Sequence, residues 1–268
     1  MNFLNLPRCF ILHNYIISHF LKIDFFMKRA LFLIFWIVAT LAIAREKSDS
    51  TKNPLLISGE LTFNSNGIAP IPAFALGKPT IMANITLRKN RFTYNPQLSY
   101  GLDFKPWIID NWFHYKLVEK PKFEMKAGIN ISMFFSEKKT PDEDFWQGQR
   151  YIAFEIAGKY KLSQTRSLGL MLWYDNGIDP GTITGYFLNL VFDQSDIRIG
   201  KNLLLAINLQ TFYIDYTDEN DGFFISPKVS CAVRAVPAFL FIQAIIPLTS
   251  NISPYPEFQW NIGLGYSF

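Results

Sequence analysis

The feature that most constrains this chain is a strict alternation of apolar and polar residues. In residues 123–133, FEMKAGINISM, the apolar set is Phe123, Met125, Ala127, Ile129, Ile131 and Met133, while Glu124, Lys126, Asn130 and Ser132 lie between them. Successive side chains of a strand point to opposite faces, so such a run is a β-strand with one greasy wall and one polar wall. The same period governs residues 92–104, where Phe92, Tyr94, Leu98, Tyr100, Leu102 and Phe104 alternate with Thr93, Asn95, Gln97, Ser99 and Asp103. It governs residues 225–234, and also the last residues, EFQWNIGLGYSF, where Phe258, Trp260, Ile262, Leu264, Tyr266 and Phe268 alternate with smaller or polar groups. About twelve such stretches occur, near 57–64, 80–88, 91–104, 107–118, 122–135, 149–162, 166–174, 184–192, 201–213, 223–235, 238–247 and 256–268, in the length range of membrane-spanning strands.

The connections carry a second pattern. Joins at Lys89 and Asn90, at Glu119 to Pro121, at Ser163 to Thr165 and at Val236 and Pro237 are short, while SEKKTPDEDFWQGQ and DYTDENDG read as long polar loops. Short turns on one rim and long loops on the other are the asymmetry of outer-membrane barrels. The third join, Lys105 and Pro106, is shorter than this rule asks, and the eighth is longer. Loop parity keeps one face inward across the second and fourth joins. Pro96 and Pro227 fall inside alternating stretches. A closed barrel has no edge strand to accommodate a missing N–H, so bulges or loop-proximal positions are expected there.

A secreted β-sandwich also alternates, but its strands are typically about five or six residues long. Here apolar stretches are longer, their ends are rich in Tyr, Trp and Phe, and the opposite face holds Gly, Ser, Asn and Gln, which suits a lumen and aromatic lipid boundaries. Residues 27–44, MKRALFLIFWIVATLAIA, have the basic start, apolar run and small-residue end of a signal peptide. The run is too short to be a transmembrane helix. Residues 1–26 precede a complete signal and are read as an over-extension or leader, leaving 45–268 as the barrel. Removing residues 1–44 takes four basic residues and one acidic residue from totals of 26 and 22, so the rest is nearly neutral and no nucleic-acid partner is implied. Cys231 is then the only cysteine left, which excludes a disulfide framework.

The terminal GLGYSF resembles the C-terminal strand of Gram-negative outer-membrane β-barrel proteins, which commonly ends on an aromatic residue. The resemblance implies an all-β, antiparallel up-and-down transmembrane barrel whose last strand closes against the first. It also implies that Trp260, Leu264, Tyr266 and Phe268 form a signal for the barrel-assembly machinery, with outer-membrane lipid and lipopolysaccharide as surroundings. The abundance of Asn, Lys, Ile and Phe resembles Bacteroidota proteins.

Alternation assigns Glu60, Arg88, Asp103, Asp110, His114, Lys116, Glu124, Lys126, Glu155, Lys159, Lys161, Lys228, Arg234 and Glu257 to the lumen. Lys116 is expected opposite Glu124, and Lys126 opposite His114. A basic inner mouth built on Lys159 and Lys161 would favour anions. The leading function is a narrow porin-like channel for small solutes. The alternatives are a plugged barrel acting through its loops and a lipid-modifying hydrolase. Beyond residue 44 the sole histidine is His114, and no serine partner can be named for it, so a hydrogen-bonding lumenal role is expected. Asp215, Asp218, Glu219 and Asp221 gather in one loop, but their spacing is not that of a calcium loop, which wants oxygen ligands at alternating positions with a fixed glycine and a distal glutamate. No cofactor or metal site is expected.

Overall fold

The computed structural model describes residues 54–69, 74–140, 143–216, 220–234, 236–252 and 257–268. The segments assigned above to 1–26 and 27–44, and the acidic residues Asp218 and Glu219, lie outside them. Residues 55–268 form one compact unit. Its elements are β1 (Leu56–Asn64), β2 (Thr80–Lys89), β3 (Phe92–Gly101), β4 (Pro106–Glu119), β5 (Phe123–Lys139), β6 (Asp144–Lys161), β7 (Arg166–Gly177), β8 (Thr184–Ile199), β9 (Leu203–Tyr216), β10 (Asn220–Val233), β11 (Ala238–Ser250) and β12 (Gln259–Ser267). They close into one barrel, each strand hydrogen-bonded to its sequence neighbours and β12 to β1. Closure leaves no edge, so the backbone polar groups of the wall are paired within the sheet, as a hydrocarbon environment requires.

The two faces of the wall differ as the period demands. Outward residues such as Ile131, Leu170 and Trp260 are 53–54% exposed, whereas the inward Phe212 and Phe224 are fully buried. An apolar face exposed around the whole barrel is far larger than a water-soluble protein presents, and it fits lipid. The seam is made at the chain's end: Gly59 N donates to Phe268 O at 2.9 Å and Phe268 N donates to Gly59 O at 3.0 Å. The Phe268 ring lies where a Cβ on Gly59 would be, so the glycine makes room for it.

Several boundaries differ from the sequence reading. β5, β6, β9 and β10 run on through the polar residues read as loops, so the join between β5 and β6 shrinks to 140–143 and that between β9 and β10 to 217–219. Asp215 and Asp221 are consequently cross-strand partners. β8 continues to Ile199 through an irregularity between Gln194 and Ile197, with Asp196 at φ 58°, which leaves a three-residue turn, 200–202, where a long one was expected. The second turn is Asn90 and Arg91, one residue later than predicted, with Asn90 in the left-handed region at φ 55°, a conformation asparagine tolerates.

Neither Pro96 nor Pro227 marks a bulge, whereas Pro247 of β11 sits at the register shift between Phe223 and Phe224. Pro96 pairs in register with Asn111, and Pro227 with Leu209. On the opposite side each interrupts the ladder without shifting it, since Asn84↔Gln97 resumes the register of Leu87↔Tyr94, and Ile225↔Ile246 that of Lys228↔Gln243. In both gaps the residue before the proline bridges the strands by its side chain. Asn95 Nδ2 donates to Thr86 Oγ1 at 2.7 Å, and Ser226 Oγ accepts from Gln243 Nε2 at 3.1 Å. Side-chain hydrogen bonds in the lumen thus stand in for the missing main-chain ones.

On the rim opposite the chain's end, Asp179 accepts from Arg150 N, Nε and Nη2 at 2.7, 3.1–3.2 and 2.6 Å. The Arg150 hydrogen bonds hold the Asp179 carboxyl below its ordinary range. A depressed carboxylate contributes order above the unfolded value and loses it as pH falls through the folded one. Proteolysis of the 178–183 loop is therefore expected to stay slow at neutral pH and to quicken only below the ordinary carboxylate range. Asp179→Asn should remove that dependence, and an unchanged acid profile in this variant would rule the clamp out.

Candidate functional site in the lumen

The inward positions sort by height, with "lower" denoting the rim that carries the chain's end. Across the upper lumen an arc of aromatic side chains crosses five strands. Trp112 meets Trp173 at a centroid distance of 4.8 Å, Trp173 meets Phe187 at 5.0 Å, Phe187 meets Phe212 at 5.5 Å and Phe212 meets Phe224 at 5.1 Å. Ile214 and Ile245 complete this cluster. Into it folds the connection between β1 and β2, whose arms are joined by Ala69 N donating to Phe74 O and Leu76 N to Gly67 O, both at 2.8 Å. Ile68, only 6% exposed, packs among the rings. Asn261 ties down the first arm: its Oδ1 accepts from Asn66 N at 3.1 Å and Ser65 Oγ at 3.3 Å, and its Nδ2 donates to Asn64 Oδ1 at 2.9 Å.

Below the arc lies a cavity of about 750 Å³, lined by aromatic, charged and carboxamide side chains. Its charged centre is Glu155, 3% exposed. Glu155 Oε1 is 2.8 Å from Lys126 Nζ and 3.1 Å from His114 Nε2, and Oε2 accepts from Trp173 Nε1 at 2.6 Å. His114 Nδ1 faces Asn95 Oδ1 at 3.1 Å, and Lys126 Nζ is 3.2 Å from Nε2. Because Asn95 Nδ2 is committed to Thr86, its oxygen is left to accept from Nδ1, and Nε2 faces the ammonium. Trp112 stacks on the imidazole at 5.3 Å and 6°. The residue opposite His114 is Gly128, not Lys126 as expected, and a Cβ there would run into the ring. Among the described residues the side-chain neighbours of His114 are Asn95, Lys126, Glu155 and the Trp112 ring.

Four lysines of the lower lumen are paired with carboxylates. Lys126 takes Glu155, Lys159 takes Asp193 at 3.4 Å, and Lys161 takes Glu124 at 2.5 Å. Lys116 pairs with Glu119 at 2.6 Å, not with Glu124. The turn lies at 120–122, one residue later than expected, which puts Lys116 opposite Lys126 and, past a bulge between Lys116 and Val118, Glu119 opposite Glu124, and this overturns the expected contact. Asp193 lies one residue past the alternating stretch 184–192, on the continuation of β8. It anchors a relay in which Asn189 Nδ2 donates to Gln210 Oε1, Gln210 Nε2 to Asn208 Oδ1, and Asn208 Nδ2 to Asp193 Oδ1, at 2.8, 3.1 and 2.7 Å. Lys228 lines the same cavity, and Glu60 lies half-buried in β1. Asp110 is buried in the upper lumen, accepting from Asn130 Nδ2 at 3.0 Å.

Three assigned residues leave the wall. Asp103 sits in the turn between β3 and β4 and pairs with Lys78 at 2.6 Å, Arg234 is in the turn after β10, and Glu257 is exposed ahead of β12. Arg88 stays on β2 but is exposed near its lower end. The aromatic arc is not among the lumenal residues that alternation assigns. In β7 and β8 both faces are apolar, as in Leu168, Leu170 and Leu172 outward against Met171 and Trp173 inward, so the period that separates walls is blurred there.

A closed antiparallel barrel with a lipid-facing exterior and a charged cavity inside is an outer-membrane β-barrel. No protein-family model matches the chain, and no curated protein does. Among solved structures it resembles the KdgM porin in complex with disordered oligogalacturonate at TM-score 0.52 and 12% identity, covering 79% of this chain and 99% of that one. A KdgM porin structure described without that ligand gives 0.50 at the same identity and coverage. An outer membrane channel from Pseudomonas putida F1 gives 0.46 at 12% identity, over 82% of this chain and 99% of that one. At such identities the likeness concerns the fold, which the two KdgM structures share with this chain.

Proposed function

We propose that this barrel is a porin-like channel for small hydrophilic solutes, with a preformed chamber in its lower half and a constriction in its upper half. The observation that carries the reading is the cavity of about 750 Å³ lined by carboxamides, His114 and paired charges, a surface that replaces the hydration of a polar solute. The porin name borne by the two KdgM structures supports passage of solute through this architecture. The rival is a plugged barrel, favoured by the aromatic arc and the inward-folded arms 65–69 and 74–79. Planar-bilayer conductance of refolded protein separates the two. The channel reading expects small, resolvable steps in the wild type and several-fold larger ones when residues 66–77 are excised. Closed bilayers for both proteins would establish the plugged barrel.

The end of β12 is proposed as the feature read by the barrel-assembly machinery, through Trp260, Leu264, Tyr266 and Phe268, whose first three side chains point outward and are 48–53% exposed. Outer-membrane lipid and lipopolysaccharide are the proposed neighbours of that wall. Deleting Phe268 removes two terminal ladder bonds to Gly59, a small loss at a frayed seam. Insertion in cells is expected to fall much more than the urea midpoint of protein refolded in detergent. Equal losses in the two assays would assign Phe268 a purely structural role.

A further inference from the structure

We propose that Lys228 is the anion-selecting residue of the lumen, an inference that rests on the channel reading above. The four lysines facing the lower chamber from β4, β5 and β6 are each matched by a carboxylate, as Lys116 with Glu119, Lys126 with Glu155, Lys159 with Asp193 and Lys161 with Glu124. Their fields are largely cancelled within the wall. Lys228, inward on β10, is different. Among the described residues no carboxylate lies within ion-pair distance of it, and its strand neighbours in register are Asn208 and Gln243, both carboxamides. What holds its ammonium is the face of Phe241, 4.2 Å from Nζ to the ring centroid. A π face attracts a cation but leaves its charge uncompensated.

The platform is itself built by the terminal strand. Phe241 is 5% exposed and lies against Gly263, where any Cβ would collide with the ring, and Phe239 stands in the same relation to Gly265. The glycines of GLGYSF therefore clear a slot in which Phe241 lies along the wall and presents Lys228 to the chamber. Ser230 and the Asn208 carboxamide line the cavity beside it. One unpaired ammonium among the paired lysines of the lower chamber, with low-dielectric walls, raises the potential beside it and draws small anions carrying carboxylate, phosphate or halide charge, while the unpaired Asp110 lies in the upper lumen. Glu60, on β1, is close enough for its charge to act on Lys228, but the two make no ion pair.

Chloride serves as the probe. In bilayers under a potassium chloride gradient, the wild type is expected to prefer chloride. Lys228→Gln should lower the chloride-to-potassium permeability ratio roughly two- to threefold, Lys228→Arg should keep it, and the charge-neutral pair Lys159→Gln with Asp193→Asn should leave it near wild type. A conducting Lys228→Gln channel with unchanged selectivity overturns the proposal. If no variant conducts, the channel reading fails by itself, and the anion site is then tested by chlorine NMR linewidth on the protein in detergent micelles. Excess broadening lost in Lys228→Gln and kept in Lys228→Arg supports the site, and equal broadening in all three proteins overturns it.

Discussion

Arginine at Ile129 is expected to destabilise the folded barrel by about 2–4 kcal/mol, whereas arginine at Asn208 should cost far less. Ile129 lies on the outward face of β5 between Phe113 and Phe154 on the flanking strands, and 36% of its surface is exposed. It stands six residues above the start of β5 at Phe123. At about 3.4 Å per residue and a tilt near 45° this is about 14 Å up the wall, close to the middle of the hydrocarbon. A guanidinium there has neither water nor a partner within reach. Asn208 faces the chamber and donates to Asp193 at 2.7 Å, so a cation in its place meets a carboxylate and a hydrated cavity. The comparison cannot use Asn130 or Asn261, which are 5% and 1% exposed and fully engaged in hydrogen bonds. Nor can it use Leu205, which lies two residues into β9, near the lower rim. Urea titrations of refolded protein in lipid measure both variants. Similar losses at Ile129 and Asn208 would mean that the wall is inside out.

The twelve strands were legible because a lipid-facing wall forces period two wherever the other face is polar, as in Phe123 to Met133. Where the inward face is also apolar, the signal fails. Met171, Trp173, Phe187, Phe212 and Phe224 all point inward from strands whose outward faces are equally greasy. Polar runs misled in the opposite way, because Ser136 to Lys139 and Asp144 to Gln147 continue the β5–β6 ladder on the upper rim. The lumenal residues were largely legible as a set, but their partners were not. A turn placed one residue later, at 120–122, moved Lys116 two positions away from Glu124 and left it to Glu119, and nothing in Glu119 to Lys122 fixes which three residues make the turn. The glycines of the last strand read as small, polar-face fillers. Their role as slots for Phe239 and Phe241 depends on β11 lying beside them, which only the closed sheet reveals.

Removing the carboxylate of Glu155 should be the most damaging single change inside the lumen. Glu155 is 3% exposed and meets groups from three strands: the ammonium of Lys126 on β5, Nε2 of His114 on β4 and the indole N–H of Trp173 on β7. Breaking a buried ion pair from one side costs about 3–5 kcal/mol, because the remaining charge keeps its desolvation and loses its partner. The lower end applies here, since the Lys126 side chain is 40% exposed and recovers some hydration. Glu155→Ala is therefore expected to lose about 3 kcal/mol of unfolding free energy, with the Trp173 N–H left unpaired as a second contribution. Glu155→Gln retains an acceptor for that N–H and should lose less. In a Lys126→Met background the cation is gone, so Glu155→Ala should cost distinctly less than in the wild type. The double-mutant cycle, read from urea midpoints in detergent, isolates the coupling. A Glu155→Ala loss of the same size in both backgrounds would show that Lys126 and Glu155 do not act as a pair, and the charged centre of the lumen would reduce to the Trp173 and His114 contacts.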